Sequence, residues 1–134
     1  GDPHLVPLPI QAVALLREIQ TLTGEGRFVF PSTRSKSRSL STAGMLAALS
    51  SVGIDSKTQT IHGFRATART LLDEELEWSV PIIEAQLSHS VRDANGTSYN
   101  RTSFMRQRAE MMQQWADYLD KLAAGADLVE LRRA

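Results

Sequence analysis

The segment His62-Gly-Phe-Arg-Ala-Thr-Ala-Arg-Thr-Leu-Leu72 decides the fold class, because its apolar residues recur every three or four positions. That spacing predicts a helix from about residue 62 to about residue 77. Its buried stripe is predicted to contain Phe64, Ala68, Leu71, Leu72 and Leu76. His62 and Arg65 lie three positions apart at the helix start, so their side chains project from one face.

Four further helices are predicted on either side of this segment, from the same apolar spacing and from residues that start or end helices. They cover about residues 10–23, 42–52 and 81–87, and a long stretch from residue 98 or 102 to residue 124. Pro9 and Pro81 suit the first turn of a helix, and Ser41 or Thr42 can cap the helix that follows. The first helix is predicted to bury Ile10, Val13, Ala14, Leu16, Ile19 and Leu22. The apolar stripe of the last helix contains Phe104, Met111, Met112, Trp115, Leu119 and Leu122.

Strands are expected to be few and short. Residues 4–9 and 27–30 are strand candidates, and residues 31–40 are interpreted as a loop rich in Ser, Thr, Arg and Lys. No repeat and no linker divides the chain. We therefore predict a single domain over residues 1–134 that is mainly α, with one or two short β-strands.

Composition narrows the classes of function. The chain has 134 residues, 42% of them hydrophobic, and no cysteine, which excludes disulfides and thiolate metal sites and is compatible with a reducing cytoplasm. No apolar run approaches the roughly 20 residues that cross a bilayer, so no membrane partner is expected. The 15 basic and 15 acidic residues cancel, so composition alone does not favour nucleic acid as a partner. One local cluster, Arg34, Lys36 and Arg38, is basic and is the candidate DNA-binding segment.

Four residues are candidates for chemistry. His62 and Arg65 at a helix start can bind an anion, because free backbone N–H groups add to the side-chain charge. For an isolated pair of this kind, a capping histidine and a surface arginine are the commoner interpretation. His89 follows the short helix at 81–87, and Tyr99 comes ten positions later. A phenol has a pKa of about 10, so Tyr99 needs nearby cations to act as a nucleophile at neutral pH.

The order of these residues resembles the tyrosine recombinase family. The matching motifs are His62-Gly-Phe-Arg65, then Leu87-Ser-His89, then Tyr99. The prophage integrase branch is similar at four segments: His4-Leu-Val-Pro-Leu8, Phe28-Val-Phe-Pro-Ser32, Tyr99-Asn-Arg101 and Met111-Met-Gln-Gln-Trp-Ala-Asp-Tyr-Leu119. Each motif alone is weak, but their order and spacing together are specific, and they cover nearly the whole chain.

The resemblance implies a helical catalytic domain that cleaves and rejoins DNA without metal or cofactor. Tyr99 would attack a backbone phosphate and leave a 3′-phosphotyrosyl link. Arg65 would clamp phosphate oxygens, His62 would bind phosphate or accept the tyrosine proton, and His89 would hydrogen-bond a phosphate oxygen. The partners implied are double-stranded DNA attachment sites and further copies of the protein, as a homo-oligomer, with a tetramer expected on DNA. The implied location is the bacterial cytoplasm, in association with the nucleoid.

The chain departs from the family's pattern in two ways. Ser88 stands where the family often has glycine or alanine, which are also small. The family uses an earlier arginine and a hairpin lysine, both before the segment that resembles His4–Leu8, and residues 1–3 offer neither. We therefore expect the C-terminal part of a catalytic domain, which alone would not cleave DNA at a useful rate.

Two other functions fit part of this pattern. A type IB topoisomerase uses related chemistry, but the integrase-like segment at 111–119 disfavours it. A non-catalytic helical DNA-binding or assembly module would depend on the basic segment at 34–38 and not on Tyr99. The apolar stripe of the last helix fits either packing in its own core or docking on a partner subunit.

Overall fold

The computed structural model describes residues 4–88 and 104–125, and within these ranges the chain is mainly helical, as predicted. The helices are α1 (Ile10–Thr23), α2 (Thr42–Ser51), α3 (Ile61–Glu74), α4 (Val80–Gln86) and α5 (Met105–Ala123). Strands β1 (Pro31–Ser32) and β2 (Ser35–Ser39) form an antiparallel hairpin between α1 and α2. None of the described helices is both long and apolar enough to cross a membrane.

Contacts divide the chain into two compact units. The described residues of the first unit are 4–11, 68–88 and 104–125, and the second unit comprises residues 12–67. The first unit therefore joins the N-terminal segment to the end of α3, α4 and α5. The second holds most of α1, the hairpin, α2 and the start of α3.

The core of the first unit is formed by Leu72, Ile83 and Met111, one side chain from each of its three helical segments. The partly buried residues packed against these three are Leu76, Trp78, Ile82, Leu87, Met112 and Trp115. Three residues of the apolar stripe of α5, Met111, Met112 and Trp115, are thus used inside their own unit, whereas Leu119 is 42% exposed. Tyr118 is also buried and stacks on Trp115, with ring centroids 5.9 Å apart.

Hydrogen bonds join the N-terminal segment to α5 within the first unit. The backbone N–H of Ile10 donates to Gln113 Oε1 at 3.0 Å. Gln11 Nε2 donates to Asp117 Oδ1 at 2.8 Å and to Asp120 Oδ2 at 2.9 Å. The bonds from Gln11 and Gln113 lower the pKa of Asp117, because they stabilise its ionised form. Side-chain amides therefore define how residues 10 and 11 lie along α5.

The same unit contains the only fully buried charged side chain among the described residues, Arg108 on α5. Its Nε donates to Gln86 Oε1 at 2.8 Å, and its Nη2 donates to the carbonyl oxygen of Leu5 at 2.6 Å. Burial lowers the pKa of Arg108, because desolvation disfavours the charged form. Hydrogen bonds to a buried guanidinium are needed to offset that desolvation.

In the second unit, the hairpin leads directly into the cap of α2. The backbone N–H of Leu40 donates to the Phe30 carbonyl at 2.8 Å, which extends the pairing beyond β1 and β2. Ser41 caps α2, as predicted, because its Oγ accepts a hydrogen bond from the Gly44 N–H at 3.1 Å. The helix ends before Gly53, whose φ of +86° favours glycine.

The predicted strands are wrong in position. Residues 4–9 and 27–30 form no strand, and both observed strands lie inside the segment interpreted as a loop. Residues 35–39 read Ser-Lys-Ser-Arg-Ser and have no apolar member, so the alternation that usually reveals a strand is absent. Backbone hydrogen bonds form the hairpin without the burial of an apolar face.

Two predictions about buried stripes are also corrected. Phe64 is 46% exposed, although it was expected in the core, and no residue of α1 is fully buried.

Helix α3 ends at Glu74 rather than near residue 77, because the Trp78 N–H turns back to the Leu72 carbonyl and Glu77 adopts a φ of +55°. Apolar spacing predicted these helices but not which of their faces another element covers.

We expect Leu72→Ala to lower the free energy of unfolding by about 2–5 kcal/mol, because Leu72 is 2% exposed and its truncation leaves a cavity. Leu22→Ala is the control, since Leu22 is 85% exposed and should change stability by less than about 0.5 kcal/mol. Urea unfolding followed by circular dichroism measures both. Equal losses for the two variants would contradict the position assigned to the core.

Candidate functional site

The start of α3, which carries His62 and Arg65, is prepared by a turn at residues 55–58. Asp55 Oδ1 accepts hydrogen bonds from the Lys57 N–H at 3.0 Å and from the Thr58 N–H and Oγ1, both at 2.8 Å. The Thr58 side-chain and backbone bonds lower the pKa of Asp55, because they favour the carboxylate. This turn sets the direction in which the chain enters α3.

Thr60 caps the helix itself. Its Oγ1 accepts a hydrogen bond from the Gly63 N–H at 2.9 Å, and its own N–H donates to Gln59 Oε1 at 3.2 Å. A β-carbon at position 63 would displace Gln59 Oε1, the far end of a flexible side chain. The cap fixes the first turn of α3 and therefore the face on which His62 is displayed.

His62 and Arg65 are both exposed and, three positions apart, share one face of α3. A planar guanidinium and an imidazole at a helix N-terminus form a suitable surface for a phosphate oxygen. Arg69, four positions after Arg65, contacts two carboxylates. Its Nε donates to Glu84 Oε1 at 2.9 Å, and its Nη1 lies 3.7 Å from Asp73 Oδ2. Two carboxylates thus match the charge of Arg69, which is structural.

The other two catalytic candidates, His89 and Tyr99, lie outside the described residues. Their convergence with His62 and Arg65 on one site stays a prediction. Tyr118, the second tyrosine of the chain, is 6% exposed and belongs to the packing of α5. It is therefore a poor candidate for attack on a macromolecular substrate and a natural control for Tyr99.

The basic cluster Arg34, Lys36 and Arg38 lies on the hairpin, and all three side chains are exposed. Arg34 and Arg38 line an open cavity of ≈ 820 Å³. The rest of its lining is mainly hydroxyl-bearing and small, and comprises Ser32, Thr33, Ser35, Ser37, Ser39, Leu40, Ser41, Ala43, Gly44 and Ala47. Two guanidinium groups among serine hydroxyls form a surface suited to phosphate rather than to an apolar ligand.

Sequence interpretation missed the Arg108 cluster, formed by Arg108, Gln86 and Leu5. A signal for it was present, because Arg108 lies four positions after Phe104 and three before Met111, on the apolar stripe of α5. A charged residue within such a stripe indicates a buried, hydrogen-bonded group. Within residues 4–88 and 104–125, no group of three His, Asp or Glu side chains is placed to hold a metal ion.

Comparison with known proteins identifies related sequences. The chain is 42% identical over 123 residues to the prophage integrase IntZ of Escherichia coli K12, which covers 92% of this chain and 30% of that protein. It is 40% identical over 121 residues to the integrase of Enterobacteria phage P4, covering 89% of this chain and 28% of that protein. The prophage integrase IntA of Escherichia coli K12 is 34% identical over 123 residues. No protein-family model and no solved structure matches the chain.

The chain is therefore a homologue of phage and prophage integrases over most of its length. It spans about three-tenths of the length of these relatives. Its resemblance to this branch, first seen in short motifs, thus extends over about nine-tenths of the chain.

We expect Thr60→Val to lower the free energy of unfolding by about 1 kcal/mol, because it removes the side-chain oxygen that caps α3. Thr60→Ser keeps that oxygen and should stay close to the wild type. Urea unfolding gives the stability of both variants, and amide hydrogen exchange reports the first turn of α3. If the valine variant exchanges no faster at residues 62–64 than the serine variant, Thr60 is not the cap that holds His62.

Proposed function

We propose that this chain supplies the C-terminal part of the catalytic domain of a tyrosine recombinase, within an integrase that performs site-specific DNA recombination. The observation that carries the proposal is the exposed pair His62 and Arg65 on one face at the capped start of α3. Because the chain is similar to integrases, we infer that this pair holds a DNA phosphate.

Tyr99 is the proposed nucleophile. Its phenolic oxygen forms a bond to a backbone phosphorus, and the bond from that phosphorus to the 5′-oxygen breaks. The product is a 3′-phosphotyrosyl link that keeps the energy of the phosphodiester, so that a second DNA 5′-hydroxyl can reverse the step. The burial of Tyr118 leaves Tyr99 as the better candidate of the two tyrosines.

Three basic side chains support this attack in the proposed mechanism. Arg65 binds two non-bridging oxygens through its planar guanidinium and stabilises the charge that grows on them in the transition state. His62 binds the phosphate or accepts the tyrosine proton, and His89 donates a hydrogen bond to a phosphate oxygen. The chain needs no metal or cofactor for these roles.

The partners in this proposal are double-stranded DNA attachment sites and further copies of the protein, with a tetramer on DNA in the bacterial nucleoid. Residues 1–134 act as one domain. The family's first arginine and hairpin lysine have no match among them. Loss of one preorganised charge donor costs about 100- to 1000-fold in rate, so these residues alone should cleave DNA very slowly.

A second candidate function rests on the hairpin. Arg34 and Arg38 line an open, serine-rich cavity, which suits a non-catalytic module that contacts DNA phosphates. DNA binding by such a module would depend on the hairpin and would not depend on Tyr99. In the proposed recombinase, the hairpin would bind DNA and the start of α3 would take part in the chemistry.

We expect the complete integrase that carries this chain to form a covalent adduct with a nicked duplex containing its attachment sequence, read from the genomic junctions of the integrated element. Tyr99→Phe should abolish the adduct, because it removes the attacking oxygen and leaves the ring. Tyr118→Phe is the matched control and should keep adduct formation within about threefold, since Tyr118 is buried away from substrate. Denaturing gel electrophoresis separates the adduct from free protein.

If the Tyr99→Phe variant still forms the covalent adduct, Tyr99 is not the nucleophile. A wild-type protein that binds the duplex but forms no adduct would favour the non-catalytic module.

We expect the double variant Arg34→Gln, Arg38→Gln to bind duplex DNA more weakly and with a smaller dependence on salt. Each lost phosphate contact should reduce the slope of log K against log salt by about 0.9. Arg17→Gln, at an exposed position on α1, removes a charge away from the hairpin and should leave the slope unchanged. Fluorescence anisotropy over a salt series measures these slopes, and equal slopes for all three proteins would exclude the hairpin from the DNA contact.

A further inference from the structure

Arg108 brings three separate chain segments together. Its guanidinium donates to the Leu5 carbonyl oxygen of the N-terminal segment and to Gln86 Oε1 at the end of α4. Its Nη1 also donates to Met105 Sδ at 3.5 Å, at the first residue of α5. His4 strengthens the same junction, because its Nε2 donates to the Gln86 carbonyl oxygen at 3.2 Å.

Burial restricts the hydrogen-bond geometry of Arg108 at this junction. Arg108 is 0% exposed, whereas the hydrogen bonds of Gln11 with Asp117 and of Trp78 with Gln114 are exposed. A buried guanidinium has little water to replace a lost partner, so its hydrogen bonds must be kept in good geometry. Displacement of Gln86 or Leu5 would leave a buried charge incompletely paired.

The positions of these contacts in the sequence are informative. Gln86 lies three residues before His89, and Met105 lies six residues after Tyr99. The Arg108 cluster therefore holds both chain ends from which the segment 89–103 departs. Ser88 and Phe104, which flank that segment, both adopt left-handed backbone, with φ of +56° and +61°. This conformation is costly for residues other than glycine and persists where the surroundings impose it.

We propose that Arg108 is a positioning residue for DNA cleavage, which fixes the two chain ends that carry His89 and Tyr99. This inference rests on the proposed function. One guanidinium contacts both ends, so it sets their separation and restricts the conformations open to the residues between them. Reacting groups must be placed to within a fraction of an ångström, and a displacement of about 1 Å costs about 100-fold in rate.

Substitutions of Gln86 provide the sharpest test of the role of Arg108. Two side chains of nearly equal size can replace Gln86, and only one of them can accept the hydrogen bond from Arg108. Gln86→Glu keeps an oxygen that accepts from Arg108 Nε, whereas Gln86→Leu removes it. Arg108→Met removes the whole junction. Leu72→Ala is the control for lost stability, because it opens a cavity in the same unit without changing a partner of Arg108.

The experiment measures covalent adduct formation and duplex affinity for the complete integrase and these four variants, at a temperature where each remains folded. We expect Gln86→Leu and Arg108→Met to form adduct about 100-fold more slowly, with duplex affinity changed less than about threefold. Gln86→Glu should restore the rate to within about fivefold of the wild type. Leu72→Ala should keep the wild-type rate despite its lower stability.

Two results would overturn the inference while leaving the proposed function intact. One is a wild-type rate in Gln86→Leu, and the other is a loss in Leu72→Ala as large as in Gln86→Leu. If Arg108→Met does not fold, the comparison of Gln86→Leu with Gln86→Glu still tests whether the hydrogen bond to Arg108 affects the cleavage rate. A wild-type integrase that forms no adduct would reject the proposed function and this inference with it.

Discussion

The buried guanidinium of Arg108 constrains the geometry of the first unit. A cation withdrawn from water must find oxygen atoms in fixed positions, and here Gln86 and the Leu5 carbonyl oxygen supply two of them. Apolar packing of Leu72, Ile83 and Met111 tolerates small shifts of one helix against another, because dispersion contacts have no strict direction. The hydrogen bonds of Arg108 do not tolerate such shifts. The core thus supplies stability, and the buried charge defines the relative position of α4, α5 and the N-terminal segment.

Ion pairing on α3 gives Arg69 a structural role. Arg69 contacts Glu84 and Asp73, so much of its field is cancelled within the protein and it has little attraction left for a phosphate. His62 and Arg65 stand at the other end of the helix, where the backbone N–H groups and the macrodipole favour an anion. A net charge of zero is therefore compatible with DNA chemistry, because the sum hides how positive and negative groups are distributed.

Much of the fold was predictable, since helix boundaries depend on local chemistry. The ends of α2 and α4, which start just after Ser41 and near Pro81, lie within about one residue of the predicted positions. Capping and proline act within a single helical turn, so their effect can be predicted from the local sequence. The hairpin at 31–39 escaped prediction, since its serines and basic residues carry no apolar alternation. The exposure of Phe64 escaped as well, because helical spacing identifies an apolar side chain without identifying what covers it. His62 and Arg65 were found from spacing, whereas Arg108 required the three-dimensional contacts of distant segments.

The features that the sequence did not predict share one physical origin, which also affects the proposed catalytic site. Short-range rules describe a residue and its neighbours within a turn, and the proposed catalytic groups are dispersed over 38 positions, from His62 to Tyr99. Groups so far apart in sequence act together only if buried contacts hold the segments that carry them. Arg108 forms such contacts at both ends of segment 89–103, and its charge cannot return to water without loss of the surrounding packing. The placement of the proposed nucleophile Tyr99 can thus depend on Arg108, whose side chain is buried in its unit.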